Sequence, residues 1–193
     1  MKNDSFPKTL AAGLLLREVK SGKRFRIITP NGAGFYTMLY NIDDKQNSWP
    51  FAKETSEIQR RLSEDEPDET RYVIDLADPW SSCVRTPRPN YNQKKLDKLW
   101  KLVEPLVSPP LAYRVMNPTY RNKILMEHAH RTGTSRQSLS RYLRRFWQRG
   151  LTREALRDDM DRCGGSGKPK TFQQKKTVDD RQTDILVHRG YPK

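Results

Sequence analysis

Apolar positions recur along this chain at two different periods, and the change of period divides it. In the first part, Phe25–Thr29 and Phe35–Tyr40 are β-prone runs on either side of a Pro-Asn-Gly turn, which predicts a hairpin. Leu14–Val19 is a further candidate strand and Glu54–Leu62 a short helix, so residues 1–80 read as a small β-rich, barrel-like module. Beyond it the spacing becomes three and four. Leu96, Leu99, Trp100, Val103, Leu106 and Val107 make one stripe on a helix from Tyr91 to about Val107, with Pro105 placed to bend or end it. Asn117-Pro118 is a cap followed by proline in the first turn, which starts a helix running to about Arg131. A third helix follows over 135–148, and Thr152 to about Met160 suggests one more short helix.

The junction between the second and third helices is the most specific local pattern. Gly133 supplies the positive φ of a tight turn, Ala129 four residues earlier is small enough for two helices to cross closely, and Ser135 caps the next helix with its hydroxyl. Stepping about 100° per residue from Leu139 puts Tyr142, Leu143, Phe146 and Trp147 on its side. Gln137, Ser138, Ser140, Arg141, Arg144 and Arg145 fall opposite. Arginine pairs two-fold with guanine and also with phosphate, and glutamine pairs two-fold with adenine, so these side chains suit a major groove. A solvated basic face on an ordinary helix is the plainer alternative. The expected fold class is α+β: the β-rich module, a trihelical helix-turn-helix domain over 81–162, and a flexible basic tail over 163–193.

Charge sharpens that picture. The chain of 193 residues carries a net charge of +14, but residues 1–80 hold 12 Lys plus Arg against 13 Asp plus Glu, or −1. The remaining 25 against 10 give +15, so the whole basic excess lies with the candidate reading helix and its flanks. The acidic run Ser63–Thr70 reads as a solvated loop, and Ala77–Asn90, with Pro79, Pro87 and Pro89, as an extended linker. A mean hydropathy of −0.94, with no run near the roughly 18 apolar residues of a membrane span, predicts a cytoplasmic protein with no membrane partner. Cys83 and Cys163 are the only cysteines and read as free thiols.

Other candidate chemistry weighs little. Asp158, Asp159 and Asp161 read as a polar helix end, because no second acidic cluster accompanies them. His128 and His130 lie about 200° apart on a helix and cannot chelate one ion together. Gly164, Gly165 and Gly167 before Lys168 fail as a phosphate loop, since Pro169 stands where Ser or Thr is required. No metal site and no catalytic residue is expected in this chain.

Four segments resemble the TnsB-type transposase subunit of heteromeric cut-and-paste transposons, relatives of the integrase-like DDE recombinases. They are GKRFRII at Gly22–Ile28, KLDKLWKLVEPLV at Lys95–Val107, TGTSRQSLSRYLRRFWQRGLTREAL at Thr132–Leu156, and CGGSGK at Cys163–Lys168. One departure is that the glycine after Trp147-Gln148 comes one residue later, because Arg149 intervenes before Gly150.

The resemblance implies recognition of transposon ends in DNA transposition, with double-stranded DNA as partner, other transposition proteins alongside, and oligomerisation on DNA. It also implies that the Mg²⁺-dependent strand-transferase core lies outside this sequence, so the chain itself is expected to be no enzyme and to hold no cofactor. Gln137, Ser138, Arg141 and Arg144 are the expected base contacts, with Ser135 and Ser140 beside them. Arg121, Lys123, Arg136, Arg145, Arg149 and the tail residues Lys168 and Lys170 are the expected phosphate contacts. Two alternatives remain open on the sequence: a stand-alone helix-turn-helix transcription regulator, and a protein-docking module. The β-rich module could touch DNA or protein, or serve only as a packing unit.

Overall fold

Five short strands, β1 (Leu15–Glu18), β2 (Arg24–Thr29), β3 (Tyr36–Asn41), β4 (Phe51–Glu54) and β5 (Tyr72–Ile74), form one antiparallel sheet in the order β4-β3-β2-β1-β5. The computed structural model describes residues 10–29, 35–44, 48–81 and 93–157. Within them lie α1 (Thr55–Arg61), α2 (Gln93–Val107), α3 (Leu111–Met116), α4 (Pro118–Thr132), α5 (Arg136–Arg149) and a 3₁₀ turn, Arg153–Leu156. The chain is α+β, as its two hydrophobic periods predict.

The sheet is covered on both faces, which explains the near-continuous buried run of β2. Leu16, Phe25, Ile27, Leu39 and Tyr72 pack on one side with Ile58 of α1. Leu15, Ile28 and Tyr40 point the other way and join one cluster with Leu96 and Val103 of α2, Leu125 of α4 and Leu139, Leu143 and Trp147 of α5. Sheet and helices therefore share a hydrophobic core.

Local chemistry sets the helix ends. The Asn117 side chain accepts from the Thr119 amide at 2.9 Å with Pro118 in the first turn, which fixes the start of α4. Gly133 ends it in the left-handed region at φ 65°, and the Ser135 hydroxyl accepts from the Ser138 amide at 3.2 Å to begin α5. A Cβ built on Gly133 meets nothing within 4 Å. Gly133→Ala should therefore cost only the strain of positive φ, about 1 kcal/mol, read as a lowered midpoint with an unchanged slope in urea unfolding.

Several elements differ from expectation. β4 and β5 are four- and three-residue edge strands, too short for alternation to register and, in β4, largely exposed. α3 follows Pro109-Pro110 directly and buries Ala112, Val115 and Met116, so among the described residues a short helix stands beside the three expected ones. Pro105 lies inside α2, which continues to Val107. The expected helix after Thr152 is a 3₁₀ turn, and Met160 lies outside the described residues. The first residues of the expected linker are held to the core: Asp78 receives a hydrogen bond from Arg26, and Trp80 packs against the main cluster.

Candidate nucleic-acid interface

The two halves of α5 have different surroundings. Leu139 and Leu143 are fully buried, and Phe146 and Trp147 nearly so, as their spacing predicts. Trp147 lies 5.9 Å from the ring of Tyr40 on β3. The last turn is bonded to the sheet twice: Gln148 Nε2 donates to the Ile42 carbonyl at 2.8 Å, and Arg26 Nη2 donates to the Gln148 carbonyl at 3.0 Å. Arg26 is 2% exposed and also donates to Gly13 and Asp78. The C-terminal half of α5 is thus clamped, while Arg136, Gln137 and Arg141 stand exposed on its N-terminal half.

Each expected contact residue among the described ones has a definite place. Gln137 is exposed, and Arg141 is exposed with its guanidinium 5.4 Å from the Tyr142 ring. The serines are used within the helix. Ser135 donates to the Ser138 hydroxyl as well as capping, and Ser140 donates to the Arg136 carbonyl. Arg136 reaches back to Asn122 Oδ1 at 2.7 Å and ties α4 to α5 across the turn. Lys123 is exposed on α4, 4.0 Å from Glu127, at the rim of a cavity of about 310 Å³ that Leu111, Tyr120 and Arg131 also line. Arg145 is half-buried and donates to the Leu156 carbonyl at 3.3 Å.

Arg149 is turned away from this surface. It is 6% exposed, donates to the Arg157 carbonyl at 2.9 Å and lies 4.7 Å from the Trp80 ring. That guanidinium is held within the fold. Lys168 and Lys170, like the acidic cluster at 158–161, lie outside the described residues.

Trp49, just before β4, is a centre that the sequence pattern did not single out. Arg121 places its Cζ 4.1 Å from the Trp49 ring centroid, and Arg144 places its own at 5.1 Å. The Arg121 fork also donates to the carbonyls of Val115 and Met116, at 3.0 and 2.7 Å. Burial lowers the Arg121 pKa, and the neighbouring Arg144 charge lowers it further. Burial pushes the nearby Tyr40 phenol up to about 12, against the opposing pull of Arg144.

His128 is 4% exposed and bridges two helices in a fixed tautomer. Its Nε2 donates to the Leu102 carbonyl at 2.8 Å, so Nδ1 accepts from Arg131 at 2.8 Å. His130 is exposed, and the two do not act as a pair. Among the described residues no three His, Cys, Asp or Glu side chains come together as a metal site. No described helix is long and apolar enough to cross a membrane.

Residues 96–159 match the family model described as the TnsB second domain. The match begins inside α2 and takes in α3, α4, α5 and the 3₁₀ turn whole, leaving the sheet outside it. No curated protein matches the chain.

Proposed function

We propose, from the premise that residues 96–159 are a TnsB-type second domain, that this chain binds double-stranded DNA and recognises the terminal repeats of a mobile element. α4, the turn at Gly133 and α5 act as a helix-turn-helix, with the N-terminal half of α5 in the major groove. The observation that carries this reading is the division of α5: its C-terminal turn is fixed to the sheet, while Gln137 and Arg141 project from the exposed half.

In this arrangement Gln137 and Arg141 read base edges, with Ser138, Ser140 and Arg144 beside them. Arg136, Lys123 and Arg121 meet phosphates and set the register of the helix on the duplex. Ser135 positions the first turn of α5 by capping it. Arg149 is left out of the contact set, because it is 6% exposed and its guanidinium lies against Arg157 and Trp80. Bound in this way, the chain would hold an element end in place for strand transfer and for the other transposition proteins that carry it out.

The test is enrichment from a random duplex pool by the full chain, followed by footprinting on the ends of the element. A short enriched motif that recurs in those ends is expected. Affinity for it should fall with salt at a logarithmic slope of about −3 for three phosphate contacts. Binding without enrichment of any motif would reduce the role to general polyanion attraction, and salt-independent binding would contradict the basic interface itself.

A further inference from the structure

We infer that Trp49, contributed by the segment leading into β4, is a positioning residue for DNA reading: its ring holds the Arg121 and Arg144 guanidinium groups in register beside the exposed face of α5. The inference deepens the proposed function and rests on it. It also gives the sheet a part in recognition, although the sheet lies outside the matched family segment.

Three observations support it. Trp49 is itself fixed, because its ring meets the nearly buried Trp147 ring of α5 edge-on, at 5.6 Å and 64°. Both guanidinium carbons lie within cation–π reach of that one ring, at 4.1 and 5.1 Å. The two arginines come from different helices, α4 and α5, so a single aromatic side chain relates the phosphate-side and base-side elements of the proposed reading unit.

An aromatic ring suits the electrostatics of this pair. Two like charges held close repel, and the lowered Arg121 pKa records burial first and Arg144 second, with no acidic group among its causes. The negative face of the indole offsets that repulsion without neutralising either charge. An acidic residue in its place would pair with the arginines and compete with phosphate. Fixing two long, rotamer-rich side chains before DNA arrives also removes part of the ordering cost of binding.

The test uses the full chain, the duplex enriched as above and its single-base-pair variants, with Trp49→Leu, Trp49→Phe and Arg144→Ala. Trp49→Leu keeps apolar bulk but has no π face. It should lower discrimination about fivefold at the base pair that Arg144→Ala also affects, and leave discrimination at the others unchanged. Trp49→Phe should restore most of that loss, and Trp49→Leu should add nothing at that base pair in an Arg144→Ala background.

Unchanged discrimination at that base pair would overturn the positioning role and leave Trp49 as packing; an equal loss over all duplexes on top of the lost discrimination is the share of the phosphate-side Arg121. Should Trp49→Leu fail to fold, Trp49→Phe carries the test: a smaller loss confined to the same base pair supports the role, and none overturns it. If the wild-type chain shows no base preference at all, the DNA-reading proposal itself fails, which is a separate result.

Discussion

Arg26→Ala is expected to lower the unfolding free energy by about 3 kcal/mol, the largest single loss anticipated in this chain. The side chain is 2% exposed and donates to the Gly13 carbonyl at 3.1 Å, the Asp78 carboxylate at 3.0 Å and the Gln148 carbonyl at 3.0 Å. Burial lowers its pKa and the Asp78 charge opposes that shift, so the guanidinium is a desolvated cation held by its partners. Truncation would leave a carboxylate without its counter-charge and two carbonyls without a donor. Asp78 itself is 25% exposed, so Asp78→Asn should cost less, about 1 kcal/mol, because water can serve part of its role. Chemical denaturation of both variants checks the order. Arg26→Ala should also weaken DNA binding, since the bond it removes fixes the last turn of α5 to the sheet.

The second large effect concerns recognition. Arg141→Ala should cost about 1–3 kcal/mol at one base pair of the preferred site and relax the preference there, with stability unchanged because the side chain is exposed. Arg136→Ala should behave differently. It should weaken all duplexes alike and reduce the salt slope by about one, as expected for a phosphate contact. Binding isotherms against the single-base-pair panel at two salt concentrations separate the two patterns. If Arg141→Ala weakened every duplex equally, its assignment to a base edge would be wrong.

Much of the helical part was legible in the residues because local chemistry determined it. Asn117-Pro118, Gly133 and Ser135 each satisfy helix ends by short-range bonds, and the structure forms those caps where the pattern placed them. The apolar stripes of α2 and α5 were equally readable, since burial follows the helical period. α3 was not, because six residues after a double proline are too few to show a period.

The candidate interface was less legible, because long-range packing decides which charges remain outside. Arg149 shows the difficulty and also a usable signal. Stepping from Leu139 places it at about 280°, close to Tyr142 at about 300°, on the flank of the apolar face. Its charge argued for phosphate, while its angle argued for the core. Gln148 sits on the wheel's polar side, yet its amide is bonded to the Ile42 carbonyl, and Arg144, on the same side and half-buried, rests against the Trp49 ring. Nothing in the period of α5 reports a strand more than 90 residues earlier. Trp49 was missed for the same reason: its partners, Arg121, Arg144 and Trp147, are distant in sequence.

The central claim is that the exposed half of α5 reads base edges in the major groove, where every purine presents N7 as an acceptor. The most direct measurement replaces each purine of the enriched duplex, one at a time, by its 7-deaza analogue and determines the affinity of the full chain for each. The account predicts a loss at one or more purines within the motif, with Arg141→Ala becoming insensitive at one of them. Unchanged affinity for every 7-deaza duplex would contradict it and place the recognition outside the major groove.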